Sequence, residues 1–143
     1  MTKREIEILR ELARRKMEIA ADPQNEINKK LWTDTNDLKM SIPPIYINEV
    51  CWNEMNVNDE LTLQTDDPFC RELEDQMRKE IYSWNHFAGN MVVSPYMECP
   101  IVVTGDNFGI SEDVDIIQTD STSDVVSRHF HVQIKDEQDI CKI

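Results

Sequence analysis

Apolar residues first recur at spacings of three and four: Ile6, Leu9, Leu12, Ala13, Met17 and Ala20 share one side of a helical wheel. Thr2 and Glu5 stand where a capping box closes a first turn, so residues 3–21 are predicted to form an amphipathic helix. Asp22-Pro23 ends that helix and starts another, because Asp caps and proline's fixed φ suits the first helical position. Ile27, Leu31 and Trp32 carry this shorter helix, and the polar run Thr33-Asp34-Thr35-Asn36-Asp37 is expected to be a loop. The period then changes. Pro43-Pro44 disfavours helix, and Ile45-Tyr46-Ile47-Asn48-Glu49-Val50 alternates and ends β-branched, the pattern of a first strand. Residues 51–56 are expected to be the loop leaving its C-terminal end. Asp67-Pro68 is a second cap-plus-proline start, with Phe69, Leu73, Met77, Ile81 and Trp84 at helical spacing behind it and His86, Phe87 and Gly89 as a stop. Met91-Val92-Val93 and Pro100-Ile101-Val102-Val103 read as strand material, with a turn at 105–109. Residues 111–124 are polar and expected to be an irregular excursion. Residues 128–134 alternate, with Phe130, Val132 and Ile134 on one face. Residues 136–143 look like the first two turns of a further helix.

This order predicts an α/β chain of one domain. N-terminal helices occupy 1–38, and a strand-helix-strand unit of partial (β/α) barrel type occupies 39–105. An acidic excursion, an extra β segment and the start of a helix occupy 106–143. The 143 residues fall well short of the roughly 250 that a closed eightfold barrel needs.

Charge narrows the function classes. Fifteen Lys and Arg against 28 Asp and Glu leave a formal charge of −13. Residues 1–30 carry eight bases and six acids, so the remainder carries seven and 22 and holds a net −15. A phosphate backbone calls for a basic footprint, so nucleic acid is not expected as a partner. No run approaches the roughly 18 apolar residues of a membrane span, and the charged N-terminus fits no signal peptide. Cys51, Cys70, Cys99 and Cys141 form no CxxC pair, and a cytoplasmic location with reduced thiols is expected.

Nucleotide-loop, dinucleotide, zinc-protease and serine-hydrolase signatures do not occur. In α/β folds ligands sit beyond the carboxyl ends of strands. Asn48, Glu49 and Trp52, after the first expected strand, and Tyr96, after the second, are therefore the candidate substrate-binding residues. Glu98 could pair with Glu49 as acid and base only if packing raised one pKa. His129 and His131 stand two apart on an expected strand, so both imidazoles share a face and could begin a metal site whose third ligand comes from elsewhere. As a polar strand face they need no metal at all, and no catalytic residue, metal or cofactor is assigned to the chain.

PPIYINEVCWNEMN (43–56) and LTLQTDDPFCRELEDQMRKEIYSWNHFAGNMVVSPY (61–96) resemble the N-terminal part of uroporphyrinogen decarboxylase-like proteins, a superfamily that includes corrinoid-dependent methyltransferases. NFGI (107–110) and residues 123–143 resemble the continuation in uncharacterised members. The resemblance spans almost the whole chain but only the front of the longer relatives, which fold as (β/α)₈ barrels. It implies that 45–50 is the first barrel strand, 68–87 the first crossover helix and 91–97 the second strand. Two departures stand out. The decarboxylases' arginine-rich loop after the first strand is Cys51-Trp52-Asn53-Glu54 here, and their Asp after the second strand is replaced by Ser94-Pro95-Tyr96-Met97-Glu98. Corrinoid or zinc belongs to a complete relative, whose metal ligands lie on later strands. Length and resemblance together predict a noncatalytic N-terminal domain, and the open edges that a few barrel strands leave predict that it self-associates as a homodimer or larger homo-oligomer. The alternative is one part of a methyltransferase-type site completed by another, barrel-completing chain.

Overall fold

The computed structural model describes residues 1–39, 41–98, 101, 111–118 and 126–139. The chain divides into two compact units, Met1–Met97 and Glu98–Ile143.

In the first unit, α1 (Lys3–Ala20) opens with the expected capping box. The Glu5 N–H donates to Thr2 Oγ1 and the Thr2 N–H donates to the Glu5 carboxylate. Its apolar stripe packs on a second long helix, Pro68–His86, where Leu12, Met77 and Ile81 form the buried centre. Ile8, Leu9, Ile19, Leu73 and Met97 surround them. Burial of each central side chain contributes roughly 1.5–3 kcal/mol. Lys16 and Glu80 pair across the two helices, with Lys16 itself buried.

Residues 23–37 depart from expectation twice. First, α2 (Pro23–Asn36) runs on through the polar stretch expected to be a loop. The Thr33 and Thr35 hydroxyls donate back to the Lys29 and Leu31 carbonyls, and Lys30 pairs with Asp34. The helix stops in a Schellman turn. There the Lys39 N–H bonds the Asp34 carbonyl, the Leu38 N–H bonds that of Thr35, and Leu38 takes a φ of 57°. Second, its buried face is polar. Asn25 and Asn28 are buried while Ile27 is 59% exposed. The Asn25 amide donates to the carbonyls of Ala20 and Val93 and accepts the Val93 N–H. Asn28 donates to the Met91 carbonyl and the Trp32 indole N–H to that of Asn90.

That row of side chains explains a correction. Residues 45–50 and 91–93 are extended but join no strand ladder among the described residues. The carbonyls of Asn90, Met91 and Val93 and the Val93 N–H find their partners on a helix instead. The two segments meet at one place, where the Asn90 N–H donates to the Ile45 carbonyl at 2.7 Å and the Ile45 N–H to Asn90 Oδ1 at 3.0 Å. Gly89 permits the approach, since an added Cβ would stand 3.1 Å from the Ile45 carbonyl oxygen. The expected loop at 51–56 contains a single turn, α3 (Trp52–Met55). The second long helix is α4 (Pro68–His86), capped as expected by Asp67, which accepts the N–H groups of Phe69 and Cys70.

The second unit corrects the expected irregular excursion. A strand β1 (Val114–Gln118) lies within it and pairs antiparallel with β2 (Val126–Phe130), matching Val114 with Phe130 and Asp115 with His129. Val114, Ile116 and Phe130 take one face by alternation, and Asp115 and His129 take the other. Phe130, Val132 and Ile134 are exposed. The ladder ends at Phe130, although the His131 N–H still bonds the Asp113 carbonyl. Residues 136–139 form a turn. The rest of the expected last helix, the turn at 105–109 and the strand at 100–103 apart from Ile101 lie outside the described residues.

The fold described is thus mixed α/β, with N-terminal helices and a small two-stranded antiparallel sheet. No helix among the described residues is long and apolar enough to cross a membrane.

Candidate functional site

The four expected substrate-binding residues have different surroundings. Asn48 and Glu49 are exposed on the extended segment, and Tyr96 is exposed after the second one. No hydrogen bond or ring contact joins any of them to Trp52 among the described residues. Trp52 instead belongs to an aromatic group. It meets Tyr82 edge-on at 6.2 Å and Phe87 at 6.2 Å, and Tyr82 lies 4.2 Å from the His86 ring. The Lys79 ammonium stands 5.6 Å from the Trp52 ring centre while pairing with Asp75 at 2.7 Å. His86 Nε2 is 3.1 Å from both carboxylate oxygens of Glu60. These contacts tie α3 and the loop before α4 to the C-terminal half of α4. Tyr82 and His86, four apart on a helix, were the signal in the sequence that marks this group. The nearby Ser83 hydroxyl donates to the Lys79 carbonyl rather than to the His86 imidazole.

Hydrogen bonds hold Glu5 and Glu74 in their charged form. Glu5 accepts the N–H groups of Asp67, Thr2 and Asp66, which bring its pKa from an ordinary 4.5 down to about 2. For Glu74, burial is the largest influence and opposes ionisation. The Thr65 hydroxyl, Arg78 and the N–H groups of Gln64 and Thr65 outweigh it and leave the pKa lowered. Cys70 is a poor nucleophile, because burial first, and then the charges of Asp67 and Glu5, push its thiol pKa up. Cys51 is exposed, and Cys99 and Cys141 lie outside the described residues.

Cavities are small. One of about 30 Å³ sits among Ile45, Tyr46, Ile47, Ser83, Phe87, Gly89 and Met91, room for a water and not for a substrate. Wider open clefts of about 250 and 290 Å³ run beside Asp22, one along Arg15 and Asn85, the other along Asn28 and Trp84. Asn48, Glu49, Trp52 and Tyr96 line none of these three.

On the hairpin, His129 and His131 share a face as expected, with ring centres 5.3 Å apart and planes at 84°. His131 Nε2 is 2.9 Å from Asp115 Oδ2, and Asp115 faces His129 across the ladder. Reading 111–124 as irregular concealed this partner. Among the described residues no group of three or more His, Cys, Asp or Glu side chains could hold a metal ion.

Comparison with protein-family models, with curated proteins and with solved structures finds no match to this chain.

Proposed function

We propose that the chain is a noncatalytic assembly module that works by self-association, and that it is the front portion of a uroporphyrinogen decarboxylase/methyltransferase-like protein. The observation that carries self-association is the extended segment at 42–47. Ile42, Ile45, Tyr46 and Ile47 are 66, 60, 56 and 44% exposed. Ile45 bonds Asn90, but no backbone group from Tyr46 to Glu49 has a hydrogen-bond partner among the described residues. An apolar segment with unused N–H and C=O groups is a template for strand pairing, and the same segment of a second copy satisfies it.

Support for the superfamily reading is narrower. What supports it is order along the chain: two extended segments flank α4 and touch at Ile45 and Asn90, without a ladder between them. In that reading residues 45–50 would gain a ladder only when further strands arrive, from a second copy or from a barrel-completing chain.

Light scattering tests the assembly. The expected mass is about twice 16.8 kDa at micromolar concentration, returning to 16.8 kDa in Ile47→Lys with the helical circular dichroism kept. A strict 16.8 kDa monomer at high concentration would overturn the reading. Assembly only on mixing with a second polypeptide would favour the barrel-completing alternative.

A further inference from the structure

We propose, resting on the self-association proposed above, that two copies of the chain pair antiparallel over residues 44–50 about a two-fold axis at Ile47. The surface is the outer edge of the extended segment, and its occupant is the same edge of a second copy.

Backbone alternation picks out the groups that face outward. Ile45 spends both its N–H and its C=O on Asn90. Successive residues of an extended chain turn these groups to opposite sides. Ile47 and Glu49 therefore point theirs the same way as Ile45, while Pro44, Tyr46, Asn48 and Val50 make the other edge. Two of those four are incomplete. Pro44 has no N–H to give. The Val50 carbonyl already accepts the Trp52 N–H at 2.9 Å. Tyr46 and Asn48 are complete, with both groups unpartnered among the described residues.

A two-fold contact sets this edge against itself, and opposed residues exchange N–H···O=C bonds. The incomplete residues then decide the register. With Ile45 or Tyr46 on the axis, Pro44 faces a complete residue and leaves its carbonyl unmet. With Asn48 or Glu49 on the axis, Val50 faces a complete residue, whose N–H meets a carbonyl already taken. Only Ile47 on the axis avoids both. Tyr46 then faces Asn48 and the two exchange both bonds. Pro44 faces Val50, so the missing N–H falls opposite the occupied carbonyl, and the Val50 N–H bonds the Pro44 carbonyl. No group on the edge is stranded, whereas every other register leaves an unmet polar group twice over by symmetry.

Charge agrees with this choice. Glu49 is the one ionised side chain in residues 44–50. The register sets it opposite Ile45, with its own copy about 13 Å along the strand and beyond the screening length of about 10 Å at 0.1 M salt. A second copy fills the edge, so the dimer and a barrel-completing strand exclude one another there.

Light scattering on the full chain first reads the dimer, and a strict monomer would overturn self-association and this register together. A Cys51→Ser chain, which lacks the exposed thiol, then carries Ile47→Cys or Glu49→Cys. Opposed residues that share no backbone bond stand about 4.5 Å apart at Cα, within the roughly 4.4–6.8 Å that a disulfide spans. Mild oxidation should link Ile47→Cys into a covalent dimer at least tenfold faster than Glu49→Cys or the Cys51→Ser chain alone. Amide exchange needs no substitution. In the dimer the Tyr46, Asn48 and Val50 amides should slow at least tenfold relative to dilute monomer, and those of Ile47 and Glu49 should not. A dimer in which Glu49→Cys links as fast as Ile47→Cys would overturn the register and leave self-association standing. Protection at Ile47 and Glu49 in place of Tyr46 and Asn48 would do the same.

Discussion

Asn25 shows how one side chain can take the place of a strand. Its amide accepts the N–H of Val93 and donates to that residue's carbonyl, the two bonds a neighbouring strand would have made. Asn25 is fully buried, so truncation strands groups that water cannot reach. Asn25→Ala is expected to cost about 2–4 kcal/mol in urea unfolding. Ile27→Ala, on the exposed side of the same helix, should stay within about 0.5 kcal/mol. An ordering with Ile27 the costlier would mean that α2 buries its apolar side after all. Hydropathy points the other way here, because it scores Asn as outward and cannot see a partner 68 residues along the chain. Leu38 is a second case. It occupies a left-handed position that favours glycine, and nothing in the polar run before it signals a Schellman stop. Leu38→Gly should raise stability slightly, by less than about 1 kcal/mol once glycine's greater unfolded freedom is subtracted.

At the scale of elements, the long helices were the legible part. Thr2 with Glu5 and Asp67 with Pro68 state their starts locally, and α1 and α4 follow within a residue or so. The run into α4 was not legible, because its support comes from two helices at once. Four consecutive N–H groups end on two carboxylates: those of Gln64 and Thr65 on Glu74, and those of Asp66 and Asp67 on Glu5. Both carboxylates have folded pKa values below the ordinary 4.5, Glu5 at about 2. A depressed folded pKa adds stability that is complete above the unfolded value and fades as pH falls toward the folded one. The melting temperature should therefore hold between pH 7 and 5 and then fall between about pH 4.5 and 2. Glu5→Gln should flatten part of that fall, and amide exchange at residues 64–67 should quicken before exchange in the middle of α4. Simultaneous loss of protection across both would mean that the run has no separate role. The hairpin was half legible for a related reason. The period of β2 announces itself, while β1 is disguised by the acids around it.

The whole molecule carries a charge that opposes the assembly proposed for it. Two copies at −13 repel, so an interface through Ile45–Ile47 must draw on apolar burial and backbone pairing alone. Raising salt shortens the screening length from about 10 Å at 0.1 M to about 3 Å at 1 M, which weakens the repulsion and leaves those two contributions in place. The dimer should therefore tighten severalfold over that range in sedimentation velocity. Lowering pH from 7 toward 5 acts the same way, since the net charge shrinks toward the pI near 4.5 while Glu5 stays ionised and the helical unit stays folded. An interface built on paired opposite charges would loosen with salt instead. Ile47→Lys separates the contributions further. The substitution removes one unit of net negative charge, so repulsion alone predicts a tighter dimer. Strand pairing through an apolar edge predicts its loss, because a lysine on the edge blocks the approach of a second one. Dissociation by a charge change that ought to favour association is the outcome that only the edge can produce.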